Sequence, residues 1–215
     1  MNLGRAPGAP PLVVAHRVNT LEALAAVRDV DLVELDVVPG LVVAHDPGDP
    51  GPTLAEALDV LAERDLGIHV DLKLPGYEQA VLEAIDERYL RGRVLVSTAY
   101  ARVARRVRAL APELPVAIGY PRDRYRVSRF AWPGLVTRPG AAALRAAMPA
   151  RIPALLAWAH ADVLALHHTL CSRAAVDAAH RRGAPVFVWT VDDPAARERF
   201  SALGVDAVVT DRWLH

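Results

Sequence analysis

Cysteine and lysine are the scarcest reactive side chains in this sequence, since Cys171 and Lys73 each stand alone. A single cysteine excludes an internal disulfide framework. Neither sign of charge is in excess: 25 basic and 25 acidic side chains balance over 215 residues. That balance lacks the basic footprint of a nucleic-acid binder or a polybasic membrane anchor. The N-terminus has no apolar stretch of signal-peptide length, and no later run is long enough to span a bilayer. These absences lead us to expect a soluble, cytoplasmic protein with no membrane span and no nucleic-acid partner. Apolar side chains are plentiful, at 53%. They suffice for one globular domain over residues 1–215 with a sizeable core. The oligomeric state is not legible.

Short apolar runs alternate with amphipathic stretches. Runs near 12, 32, 69, 94, 116, 163, 186 and 207 read as strands. Helical periods follow nearly all of them. One begins behind a cap at Asn19 or Thr20 and reaches Asp29, with Glu22 placed for a capping box behind Asn19. The others cover 53–64, behind a Thr53/Glu56 capping box, then 77–89, 101–110, 172–182 and 194–203. "GLVVAHD" (40–46) is a short extended piece, and "DPGDPGP" (46–52) a loop. From Pro121 to Pro153 only 140–148 looks helical. Repeated βα units imply a parallel sheet, and eight of them imply an α/β protein with a closed (β/α)8 TIM barrel. It is compact beside the roughly 250 residues usual for that fold. It carries a short extended insertion after the second strand, and no full last helix is expected. An open doubly wound sheet is the other arrangement, disfavoured because no glycine-rich phosphate turn follows the first strand.

Barrel active sites lie at the C-terminal ends of the strands. There the apolar runs are broken by His16-Arg17, by Glu34 and Asp36, by Asp71 and Lys73, by His167-His168 and by Trp189. Glu34 and Asp36 are two apart and share a face of the sheet, as do Asp71 and Lys73 on the next strand. Three facing carboxylates repel unless a cation lies between them. A hard divalent ion, Mg²⁺ or Ca²⁺, suits them better than Zn²⁺, because carboxylates outnumber imidazoles. The competing reading is a structural ion cluster in which Glu34 and Asp36 pair with Arg17 and Lys73. His69 reads as a structural residue lower in the barrel, while His160, His180 and His215 read as tolerated polar residues. "YPRDRYRVSR" (120–129) reads as a basic surface loop.

At these residues the chain resembles the glycerophosphodiester phosphodiesterase family, within the barrel phosphodiesterases that include phosphatidylinositol-specific phospholipases C. The matching pieces are "AHR" with "NTLEAL" (15–24), "VELDV" (33–37) with "VVAHD" (42–46), and "TLAEALDVL" (53–61). "HVDLK" (69–73), "VFVWTVDD" (186–193) and "GVDAVVTDR" (204–212) follow in family order. The resemblance implies that Glu34, Asp36 and Asp71 hold a divalent metal. It implies that His16 and His45 form the acid–base pair, that Arg17 and Lys73 contact phosphate, and that Trp189 lines the pocket. Three features depart from the pattern. Asp71 stands where the family usually has Glu, Val18 stands where Glu precedes Asn19, and the segment after His45-Asp46 is cut to "PGDPGP".

The implied chemistry is metal-dependent hydrolysis of a small-molecule phosphodiester of the kind met in lipid metabolism. The products would be an alcohol and a phosphomonoester, sn-glycerol 3-phosphate if the substrate is a glycerophosphodiester. We assign His16 as base and His45 as acid, although sequence does not distinguish the order. A catalytically degenerate barrel that binds a phosphorylated ligand is the alternative. A carboxylate-and-metal aldolase or isomerase is weaker, since a low-pKa imine-forming Lys73 is opposed by three nearby carboxylates.

Overall fold

The computed structural model describes residues 1–6, 8–122 and 134–213. Residues 123–129 of the basic segment, and His215, lie outside that set. Eight parallel strands close into a barrel: β1 (Leu12–Ala15), β2 (Leu32–Val38), β4 (Gly67–Leu72), β5 (Val94–Thr98), β6 (Val116–Tyr120), β7 (Val163–His167), β8 (Val186–Trp189) and β9 (Ala207–Thr210). Pairing of β1 with both β2 and β9 closes the ring. β3 (Val42–Val43) is the short extended piece after the second barrel strand, paired antiparallel to the end of β2. The (β/α)8 barrel expected from the sequence is therefore the fold observed.

The helices between strands are α1 (Leu21–Ala26), α2 (Leu54–Ala62), α3 (Glu78–Asp86), α4 (Ala101–Leu110), α5 (Gly134–Ala159), α6 (Arg173–His180) and α7 (Pro194–Ala202). α2 starts with the expected Thr53/Glu56 capping box. α1 decides between the two caps at its start and corrects the reading at its end. Thr20, not Asn19, caps it, and it stops at Ala26, three residues before Asp29. Asp29 takes a φ of 57°, a left-handed conformation that cannot continue a helix. α5 is a larger correction, because it runs on for 26 residues where the sequence suggested only 140–148. Its buried Met148, Ile152, Leu156 and Ala159 recur at helical spacing, and this packed face holds the helix through Pro149 and Pro153. No helix among the described residues is long and apolar enough to cross a membrane.

Strand residues alternate between two cores. One set, including Val33, Leu35, Val70 and Leu72, packs outward with the helices. The other, including Val14, Leu32, Leu95, Val163, Phe187 and Val209, meets inside the barrel, where Leu3 of the N-terminal segment joins it. The register ranks this interior from dry to polar. Leu32 pairs with Gly67, Glu34 with His69, and Asp36 with Asp71. Each step toward the C-terminal rim is thus more polar than the last.

Candidate active site

The rim of β1 and β2 is built by one turn. His16 continues the barrel ladder, its N–H donating to the Thr210 carbonyl at 2.9 Å. Arg17 then adopts φ 55°, and the turn aims its backbone N–H at Glu34 Oε2, 2.7 Å away. Asn19 completes the turn. Its Nδ2 donates to Asp36 Oδ2 at 2.8 Å, and its Oδ1 accepts from the Asp36 N–H at 3.0 Å. Asn19 is therefore a clamp on a fully buried carboxylate rather than a helix cap.

Glu34, Asp36 and Asp71 converge, with one oxygen from each within 4.8 Å of the others. Lys73 Nζ makes an ion pair with Asp36 Oδ1 and another, 2.7 Å long, with Asp71 Oδ2. Ser97 on β5 donates its hydroxyl to Asp71 Oδ1 at 2.5 Å. The Arg17 guanidinium lies 4.0 Å from Asp36 and is otherwise open to solvent. Part of the competing ion cluster is thus real: Lys73 binds two carboxylates, but among the described residues Glu34 receives only the Arg17 backbone N–H.

The electrostatics separate the three acids. Burial acts against ionisation of Asp36, but the His45 imidazole beside it, the Lys73 charge and the Asn19 hydrogen bond outweigh it and hold the carboxyl far below the usual range. Asp71 is also lowered: burial opposes this, and Lys73 and the Ser97 hydroxyl prevail. Glu34 moves the other way, pushed well up by burial and then by the Asp36 charge. Lys73 is lifted above an ordinary lysine, because its carboxylate partners overcome the cost of burial. These donors fit a hard divalent cation. All are carboxylate oxygens, they converge, and Glu34 is a buried acid whose ionisation a nearby positive charge would favour.

The two histidines stand beside different carboxylates. His16 Nδ1 lies 2.7 Å from Asp211 Oδ1, just beyond β9, and the Asp211 N–H is fixed by Asp192 at 2.8 Å. His45 follows β3 and places Nδ1 3.4 Å from Asp36 Oδ2. Trp189 ends β8 beside His167, the two rings meeting edge to face at 4.8 Å. Burial and then the neighbouring His168 lower His167 to a pKa of about 4, so it stands neutral against the tryptophan. His180, read as a merely tolerated residue, bonds Asp206 at 2.8 Å, far from this rim at the start of β9.

A model of the glycerophosphoryl diester phosphodiesterase family matches residues 45–215. The chain belongs to that family. A glycerophosphodiester phosphodiesterase of Caldanaerobacter subterraneus subsp. tengcongensis is 26% identical over 171 residues, 76% of this chain and 59% of the relative. The chain thus spans less than two thirds of the length of that curated family member. A solved structure from Silicibacter pomeroyi DSS-3 superposes with a TM-score of 0.75 at 20% identity, covering 98% of this chain and 92% of the other. An Oleispira antarctica phosphodiesterase in complex with the product sn-glycerol-3-phosphate gives 0.68 at 20% identity, covering 95% and 94%. At these identities the superpositions establish the family's barrel fold.

The sequence-predicted site residues all lie at this one rim. Three further residues bind them there: Asn19 on Asp36, Asp211 on His16 and Ser97 on Asp71. Asp211 stands within the "TDR" piece of the family match, which was the one sequence signal for it.

Proposed function

We propose that this chain hydrolyses small phosphodiesters of the glycerophosphodiester type, using a divalent cation and two histidines. The observation that carries this is the rim itself, where a convergent carboxylate trio is flanked by two imidazoles, His16 hydrogen-bonded to Asp211 and His45 lying 3.4 Å from Asp36. A pure phosphate binder has no need of two imidazoles at the rim.

Glu34, Asp36 and Asp71 would hold the cation, Mg²⁺ or Ca²⁺. When bound, it supplies Lewis-acid polarisation of a phosphoryl oxygen. The His16 hydrogen bond lowers the Asp211 carboxyl, so the carboxylate accepts. His16 Nδ1 therefore donates to Asp211, and in the neutral ring that leaves the lone pair on Nε2. That is the tautomer of a general base, acting on water or on a hydroxyl of the substrate. His45 is the acid that protonates the leaving oxygen. The solvent-facing Arg17 guanidinium can fork onto two phosphate oxygens. Lys73 adds a fixed positive charge at the rim, and Trp189, packed on His167, would line the substrate pocket.

Turnover of glycerophosphocholine and of bis(p-nitrophenyl) phosphate, with EDTA, Mg²⁺ or Ca²⁺, tests the reading. Each proton transfer contributes about 10²–10⁴-fold, so His16→Ala and His45→Ala should each lose that much kcat. Turnover indifferent to EDTA would remove the cation from the reading. A folded, metal-loaded protein with no turnover of either diester would favour a binding-only barrel.

A further inference from the structure

His69 occupies the layer between the dry barrel floor and the acidic cluster. It pairs in register with Glu34 on β2 and Leu95 on β5, and lies two residues below Asp71 on the same inward face. The residue is only 4% exposed. The Phe187 ring meets it at 83°, with centroids 6.2 Å apart. Neither ring nitrogen has a hydrogen-bond partner among the described residues. A neutral imidazole offers one donor and one acceptor, and burying both unmet is costly. An apolar side chain would suit Leu95 and Phe187 without that cost. The acids above do not reach down to it: Asp71 turns to Ser97 and Lys73, and Glu34 takes the Arg17 N–H.

We propose that His69 is a positioning residue of the candidate metal centre. Its imidazole holds a buried water under Glu34 and Asp71, and that water keeps the two carboxylates spaced to receive a divalent cation. The role rests on reading the trio as a metal centre. A buried water is typically held by about three polar partners, and one imidazole nitrogen with one oxygen from each acid supplies them. Groups that hold metal ligands from behind set their orientation and basicity.

Calorimetric titration with Mg²⁺ and with Ca²⁺, on wild type, His69→Leu and His69→Asn, decides it, alongside thermal melts in EDTA. His69→Leu should still fold in EDTA and melt within a few degrees of wild type, because leucine packs against Leu95 and Phe187 and offsets the loss of the water contact. Its cation affinity should fall about 10–100-fold, the usual loss when support behind a metal ligand is removed. His69→Asn keeps a donor and an acceptor and should bind more tightly than His69→Leu. Equal affinity in wild type and His69→Leu overturns the role of His69 and leaves the metal centre standing. His69→Asn as weak as His69→Leu also overturns it, as does collapse of His69→Leu in EDTA, which would mark a packing residue. A wild type that takes up neither cation overturns the metal reading itself.

Discussion

Replacing Lys73 by Met takes one positive charge from between Asp36 and Asp71 while nearly preserving the volume of the aliphatic stem. Asp36 is fully buried and the lysine side chain is 21% exposed, so solvent screens this pair poorly. Removing one partner of a buried ion pair costs roughly 3–5 kcal/mol, because the other charge is stranded. For 215 residues each kcal/mol moves the melting midpoint by about 2–4 °C. In EDTA the variant should therefore melt roughly 6–20 °C below wild type. Excess Ca²⁺ or Mg²⁺ should recover part of that loss, since a cation bound only by the folded state stabilises it and supplies the missing charge to the same oxygens. Thermal or urea unfolding with and without the cation measures both effects. A variant as stable as wild type in EDTA would refute the claim that Lys73 compensates these acids. An equal deficit with and without cation would refute a cation site on the same carboxylates.

Asp211→Ala should separate catalysis from stability. The His16–Asp211 pair is half open to solvent on the aspartate side, so its contribution to stability is about 0–1 kcal/mol. Losing the tautomer it imposes should lower kcat by about 10²-fold or more, and an unchanged kcat would remove Asp211 from the base. Tyr77 donates its hydroxyl to the Val37 carbonyl at 2.6 Å and accepts the Leu74 N–H at 3.2 Å. Burial pushes its pKa up to about 12, so the neutral phenol stabilises the fold below the unfolded value, near 10. That stability is lost as pH rises through about 12. Tyr77→Phe should be roughly 1–2 kcal/mol less stable at neutral pH, with a gap that narrows between about pH 10 and 12; urea melts across that range showing a constant gap would contradict this.

How much of this was readable before folding depended on whether the cause was local. The barrel strands are short β-branched runs bounded by turn residues, and each appeared where the pattern placed it. α4 begins and ends at the predicted residues because its buried Val103 and Val107 are four apart and its arginines mark the wet face. α5 resisted because Pro139, Pro149 and Pro153 signal breaks, while the packing that overrides them comes from elsewhere in the fold. Asn19 misled for a similar reason. A short polar residue before a helix looks like a cap, but Asp36, 17 positions away, competes for it and Thr20 is free to cap instead. His16 and Asp211 are 195 residues apart, and only closure of β1 against β9 joins them.

The strap from Asp46 to Pro52 is stitched at its far end and open at its tip. A Cβ on Gly51 would fall 2.1 Å from the Val43 carbonyl oxygen. The Val43 N–H donates to the Pro52 carbonyl at 2.8 Å, and the Leu54 N–H to the Leu41 carbonyl at 2.7 Å. At the tip, Gly48 has φ +93° and nothing within 4 Å of where a Cβ would stand. A grafted specificity segment therefore has one tolerant doorway here, residues 47–49, from which it would rise beside His45. Spliced two or three residues later, the same graft would unpick β3 and displace the imidazole it was meant to serve.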